Sequence, residues 1–155
     1  MEPLYFRQAE LKDLASIVAL LADDPLGVKR ELFTEPLPET YVKAFEAIDR
    51  DPNIELIVVS FKDEVVGVLQ LMYIPNLTYQ GSWRALIEGV RVAKSYRSRG
   101  VGRQMFEWAI ERAKSRGCRM LQLTTDKARP DAVRFYERLG FKASHEGMKL
   151  HFEQS

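Results

Sequence analysis

The stretch Arg97-Ser98-Arg99-Gly100-Val101-Gly102 joins a segment whose residue pattern is typical of a β-strand to one whose pattern is typical of an α-helix. Residues 83–93 before it suit a strand, and residues 100–116 after it repeat apolar side chains at helical spacing. The two glycines let the main chain approach a ligand closely. The first turn of a helix adds unpaired N–H groups and a partial positive charge. With its arginines, the stretch predicts an anion site suited to a diphosphate, between a strand and a helix.

Other interpretations of this stretch are weaker. An isolated Gly-x-Gly is more often a tight strand-to-helix turn than a ligand site. No Gly-Lys-Ser/Thr follows, so the P-loop interpretation fails. A dinucleotide site would need a third glycine, a shorter link than residues 93–99, and a regular parallel unit before it. The stretch alone therefore predicts only a ligand that carries phosphate.

The elements around this stretch alternate in a way that predicts a mixed α/β or α+β fold with a mostly antiparallel sheet. Residues 62–64 make a turn between two strand runs, which suggests a hairpin. Gly89 interrupts the strand before the loop, and an isolated glycine in a strand often marks a bulge. The predicted strands cover residues 4–8, 54–61, 65–74, 83–93, 120–125 and 141–150. The predicted helices cover residues 11–22, 39–50, 100–116 and 130–139.

Composition narrows the class of protein. The chain has 155 residues with 46% hydrophobic and 29% charged, which predicts one globular domain over residues 1–155. A net charge of +1 argues against a nucleic-acid partner unless a local basic patch exists. No apolar run approaches the ~20 residues that span a bilayer, and the N-terminus lacks a secretory h-region. With one cysteine, Cys118, we expect a cytoplasmic protein without a membrane partner or an internal disulfide.

A second motif lies downstream of the glycine loop, in Phe135-Tyr136-Glu137-Arg138-Leu139-Gly140-Phe141. It resembles the Phe-Tyr-x-x-x-Gly-Phe signature of the GCN5-related N-acetyltransferase (GNAT) superfamily. Arg97, Gly100 and Gly102 match the same superfamily's Gln/Arg-x-x-Gly-x-Gly/Ala motif. The resemblance implies a sheet of about six to seven strands, about four flanking helices, and strands that splay apart at a cofactor cleft. It also implies an acetyltransferase that uses acetyl-CoA and no metal.

The resemblance further implies which residues hold the cofactor. Main-chain groups of Val90 and Val92 would hold the pantetheine arm, and amides of the loop and first helical turn would hold the pyrophosphate. The superfamily's asparagine seven residues before the motif tyrosine is replaced here by Arg129, which would either meet the 3′-phosphate or lie in solvent. The candidate cofactor-binding residues are Val90, Arg91, Val92, Arg97, Ser98, Arg99, Gly100, Val101, Gly102, Arg103 and Arg129.

Two residues are candidates for proton transfer. Tyr136 would protonate the departing CoA thiolate, since a phenol with a pKa of ~10 is protonated at neutral pH. The alternative is a core aromatic residue beside Phe135. Glu88 would deprotonate or orient the amine; the alternatives are a solvent-facing residue or an ion-pair partner of Arg91. The strand pattern puts Glu88 on one face with Leu86, Val90 and Val92.

The resemblance implies that the acceptor binds near residues 23–41 and 75–83. An acidic excess in the first segment would attract a cationic amine; the alternative is an ordinary solvated loop. Tyr73, Tyr79 and Trp83 would line a pocket; the alternative for Trp83 is packing on the sheet. The leading hypothesis is N-acetylation of a small primary amine. The alternatives are acetylation of a protein lysine or N-terminus, and a regulatory module that binds acyl-CoA without catalysis. Superfamily members often dimerise through C-terminal strands, which makes residues 145–152 a candidate homodimer contact.

Overall fold

A single five-stranded mixed sheet forms the centre of the fold. The computed structural model describes residues 3–154, and the strands lie in the order β1-β2-β3-β4-β5. The first three pairs are antiparallel and β4–β5 is parallel, as the sequence predicts. Five strands form instead of six to seven. Their bounds are β1 Tyr5–Gln8, β2 Ile54–Phe61, β3 Glu64–Pro75, β4 Trp83–Val92 and β5 Cys118–Gln122.

The described residues contain six α-helical segments, and four of them have nine residues or more, in agreement with the expected four helices. Their bounds are α1 Leu14–Ala22, α2 Gly27–Arg30, α3 Glu39–Arg50, α4 Thr78–Gly81, α5 Val101–Ser115 and α6 Pro130–Arg138. Tyr79 and Gln80 inside the short α4 are left-handed. Among the described residues, no helix is both long enough and apolar enough to cross a membrane.

Helices pack on both faces of the sheet, which explains why β2 and β3 are apolar almost throughout. On one face, Val58 and Val68 join a buried cluster with Ile17 and Val18 of α1. On the other face, Gly67 packs closely against Met105 of α5. We call these the α1 face and the α5 face.

The chain divides into two compact units, with the boundary between Gln122 and Leu123. The first contains the whole sheet, and the second contains α6. The single domain expected over residues 1–155 stays a prediction.

The strand predicted at residues 141–150 is wrong: none of these residues is in a strand. Met148 and Leu150 alternate with polar residues as a strand would require, but a strand also needs a neighbour that pairs with its main chain. In the described second unit no such strand exists, and the side chains of Met148, Leu150 and Phe152 are exposed. The homodimer contact expected in this segment stays a prediction.

A charged cluster on the α5 face links the start of β2 to α5. Glu55 accepts hydrogen bonds from Tyr73 and from Arg112, whose Nε lies 2.9 Å from Oε1. The Arg116 guanidinium stacks over the Tyr73 ring at 4.0 Å. Burial opposes ionisation of Glu55, but the hydrogen bonds from Arg112 and Tyr73 outweigh burial and lower its pKa below the ordinary 4.5. The ionised carboxylate therefore stabilises the fold.

Glu55→Gln is expected to lower the free energy of unfolding by about 1.5–3 kcal/mol at pH 7, because it removes hydrogen bonds to a charged group. Since the folded-state pKa is lowered, the contribution is fully present above pH 4.5 and is lost as the pH falls through the folded-state pKa. Urea unfolding of both proteins at pH 7 and at a series of lower pH values measures this, and the difference between their unfolding free energies should shrink as the pH falls below 4.5. A difference that does not change with pH would contradict the ionic origin.

Candidate functional site

A bulge interrupts β4 where the sequence predicts one. Val68 of β3 pairs with Arg91, and Gln70 pairs with Glu88, so two residues of β4 face the single residue between them on β3. One of the two is Gly89, whose φ of 62° is left-handed. Other residues adopt this conformation only at a cost of roughly 1–2 kcal/mol. The predicted bulge at Gly89 is confirmed.

The bulge changes which side chains of β4 share a face. With one extra residue, alternation shifts by one position beyond it. Arg91 pairs with Val68 and therefore joins Glu88 on the α1 face, while Val92 pairs with Gly67 and belongs to the α5 face. The expectation that Glu88 and Val92 share a face is wrong, because it assumed unbroken alternation.

Beyond Leu86, β4 has an open edge on the side of β5. The parallel pairing with β5 covers only Trp83 to Leu86. No other strand of the described chain pairs with β4 on that edge. The main chain from Ile87 to Val92 can therefore receive an extended ligand that carries amide groups. This agrees with the expected parting of the strands at a cleft.

The glycine loop leads from this open edge to the start of α5. Gly100 is the N-cap residue with a left-handed φ of 79°, and a Cβ there would meet no atom within 4 Å. No side chain caps the helix N-terminus. The N–H groups of its first turn are thus available, and together with the helix dipole they suit a diphosphate. The residues present fit the phosphate portion of CoA.

The three arginines of this region have partners within the protein. Arg97 donates from Nε to the Val92 carbonyl at 3.1 Å and from Nη2 to the Asp23 carbonyl at 2.8 Å. Arg99 stacks over the Tyr96 ring at 5.4 Å. Arg103 donates to Glu107 at 2.9 Å. The side chains of these arginines are thus engaged within the protein, and the main-chain N–H groups at the start of α5 are left as candidate anion donors. The roles of these residues in binding the cofactor stay predictions.

Glu88 lies on the strand just before the bulge, with an exposed side chain. It makes no hydrogen bond or ion pair with any described residue. Arg91 instead pairs with Asp24, at 2.6 Å between Nε and Oδ2, so the predicted alternative of a Glu88–Arg91 ion pair is wrong. The carboxylate is available to an incoming amine.

Tyr136 and Arg129 belong to the second unit. Tyr136 is half-buried and makes edge-to-face contacts with Phe135 at 5.4 Å and with Phe141 at 6.0 Å. These contacts fix the direction of its ring. Arg129 is the N-cap residue of α6, and its N–H donates to the Asp126 carbonyl at 2.9 Å. Their predicted roles at the thiolate and the 3′-phosphate stay predictions.

The expected acceptor region needs two corrections. Arg91 pairs with Asp24 and so offsets part of the acidic excess, and Glu31 accepts a hydrogen bond from the Tyr41 hydroxyl. Tyr73 is buried on the α5 face, where it donates a hydrogen bond to Glu55, so its side chain is not accessible to a ligand.

The sequence does not single out Gln70, and it marks Asp24 only as a member of the acidic excess and of a breaker cluster. Gln70 lies directly opposite Glu88, and Asp24 holds Arg91. A polar residue within an apolar strand is the signal that could have found Gln70.

Cys118 does not support a covalent acetyl-enzyme route. Burial raises the pKa of its thiol, which favours the protonated, unreactive form.

Comparison with known proteins identifies a family and several similar proteins. The family model "Acetyltransferase (GNAT) family" matches residues 16–141. The aminoalkylphosphonate N-acetyltransferase of Salmonella typhimurium is 32% identical, over 90% of this chain and 85% of its own. The glucosamine 6-phosphate N-acetyltransferase of Trypanosoma brucei brucei is 37% identical over 56% of each chain. A crystal structure described as a transcriptional regulator from Bacillus halodurans C-125 is 59% identical with a TM-score of 0.94, over 97% of this chain and all of the other.

Proposed function

Because this chain belongs to the acetyltransferase (GNAT) family and is an acetyltransferase, we propose that it moves the acetyl group of acetyl-CoA to the primary amine of a small molecule. The observation that carries this proposal is the combination of a bulged strand with an open edge and an uncapped helix N-terminus reached through a glycine loop. That combination offers amide pairing and anion binding along one continuous stretch of main chain.

When bound, acetyl-CoA supplies an activated acyl thioester. Main-chain groups of Val90 and Val92 would pair with its pantetheine arm, and the N–H groups around Gly100 to Arg103 would hold its diphosphate. The chain's own contribution is thus to fix the donor along β4 and α5. Placing two reactants in the correct geometry is itself a large part of catalysis.

Proton transfer falls to two side chains in this proposal. Glu88 accepts a proton from the amine, directly or through water, or orients the amine for attack. Its exposure and its lack of a partner among the described residues support this role. Tyr136 donates a proton to the departing thiolate.

The names of the two enzyme relatives guide the choice of acceptor. One acts on an aminoalkylphosphonate and the other on glucosamine 6-phosphate, and both compounds join an amine to an anionic phosphorus group. We therefore propose a small amine, with amines that carry a phosphonate or phosphate tested first. Acetylation of a protein lysine or N-terminus is the alternative within the same chemistry.

A regulatory role is the second candidate. The Bacillus halodurans protein, 59% identical, is described as a transcriptional regulator. A regulatory module would bind acyl-CoA at the same strand and loop and would not need Glu88 or Tyr136. Turnover therefore separates the two candidates.

Thiol release from acetyl-CoA against a panel of amines tests the proposal. The panel contains an aminoalkylphosphonate, glucosamine 6-phosphate, simple alkylamines and a lysine peptide. We expect saturable turnover with at least one small amine and none with the peptide, and calorimetry should detect CoA binding at sub-millimolar protein. CoA binding without turnover on any amine would favour the regulatory candidate. No CoA binding would remove the cofactor assignment.

A further inference from the structure

The carboxylate of Asp24 joins α2 to the cofactor strand. Its Oδ1 accepts hydrogen bonds from the main-chain N–H groups of Leu26, at 2.8 Å, and of Gly27, at 2.7 Å, at the start of α2. Its Oδ2 lies 2.6 Å from Nε of Arg91, and both of these atoms are shielded from solvent. One oxygen thus fixes α2 and the other fixes β4.

The same turn is held at two further points. Gly27 packs so closely on the end of α1 that a Cβ there would lie 1.9 Å from the Leu21 carbonyl oxygen. Arg97 binds the Asp23 carbonyl and, through the same guanidinium, the Val92 carbonyl. The turn after α1 is therefore bonded to the bulged strand and to the start of the glycine loop.

The bulge in β4 determines on which face of the sheet Arg91 lies. If the same residues alternated without a bulge, Arg91, three positions after Glu88, would lie on the opposite face. With the bulge, the Arg91 side chain anchors the α1–α2 turn on the face that carries Glu88.

We propose that Asp24 and Arg91 are positioning residues that hold the segment Asp23–Arg30 beside Glu88, so that this segment forms a wall of the site for the acceptor amine. This inference rests on the proposed function. It assigns the N-terminal wall to a specific buried ion pair, and it predicts that the pair acts on amine binding while the cofactor is bound as before.

The variants are Asp24→Asn, Arg91→Gln and the double variant. Asparagine retains a side-chain oxygen for the N–H groups of α2, so Asp24→Asn removes the charge and keeps the cap. Glu111→Gln is the matched control, since it removes an exposed carboxylate that pairs with Lys114 on α5. We expect each single variant to raise KM for the amine about tenfold and to change kcat less than threefold. The double variant should have about the same KM for the amine as the single variants, because each of the three removes the same contact.

Hydrogen exchange of residues 23–31 supplies a readout that does not depend on turnover. The N–H groups of Leu26 and Gly27 should exchange faster in both single variants and at the wild-type rate in Glu111→Gln. The calorimetric Kd for CoA should stay within twofold in Asp24→Asn, because Asp24 is not a candidate cofactor-binding residue. Unchanged exchange would overturn the proposed contact. Faster exchange with an unchanged KM for the amine would overturn the role of the ion pair in the acceptor site. So would faster exchange in a variant that loses as much affinity for CoA as for the amine. A wild-type protein without turnover would instead overturn the proposed function, and the exchange result would still decide the contact.

Discussion

Tyr136→Phe is expected to lower kcat by about 10²–10⁴-fold, the usual contribution of a positioned general acid. The substitution removes only the hydroxyl group. The ring contacts with Phe135 and Phe141 remain, so the fold of the second unit should be retained. Steady-state thiol release with the best amine of the panel measures kcat, and calorimetry should give the wild-type Kd for CoA.

The matched control for this variant is Tyr5→Phe, which removes a hydroxyl group from an exposed tyrosine on β1. It should leave kcat unchanged. A pH profile adds a second criterion, because loss of a proton donor removes the limb at high pH where that donor titrates. If Tyr136→Phe keeps kcat within threefold of the wild type, the thiolate leaves without this proton, and Tyr136 is a packing residue of α6.

Glu88→Gln is expected to lower kcat/KM by about 10²–10⁴-fold at pH 7, because glutamine cannot accept the proton of the amine. The deficit should shrink as the pH rises, since an amine that is already neutral in solution no longer needs a base. No described side chain binds Glu88, so the substitution breaks no hydrogen bond or ion pair within residues 3–154. Thermal unfolding should accordingly be unchanged.

Glu111→Gln again provides a carboxylate-to-amide control at an exposed position. A deficit in Glu88→Gln that is constant across the pH range would exclude the base and favour orientation of the amine. Activity equal to the wild type at pH 7 would exclude both roles and make Glu88 a solvated residue of the strand.

The sequence predicts those features of the site that depend on neighbouring residues. Gly89 indicates the bulge because glycine weakens a regular strand and is placed inside one mainly where the backbone must bulge, bend or approach another group closely. Gly100 and Gly102 indicate a loop that opens a helix, and the helix follows at Val101–Ser115. These inferences succeed because a turn or a bulge is decided by the local conformational preferences of a few residues.

Features that depend on distant pairing escape the same reasoning. The face of Arg91 is set by its pairing with Val68, and its ion pair is with Asp24, far away in the sequence. The apolar alternation at Met148 and Leu150 predicts a strand, yet no strand of the described second unit is there to pair with it. Sequence periodicity reports which face would be apolar and does not report whether a neighbour exists.

The extra residue in β4 also limits how this protein can be re-engineered. Gly89 and Val90 together face a single residue of β3, and this irregular pairing decides which side chains beyond it face α1. A substitution at Gly89 that forced the unchanged chain into regular one-to-one pairing would turn Arg91 and Val92 over, so that Arg91 would enter the apolar layer beneath α5 and Val92 would face α1. Deleting one of the two residues would instead keep Arg91 opposite Val68. Libraries that explore new acceptors at constant chain length should therefore keep Gly89 fixed.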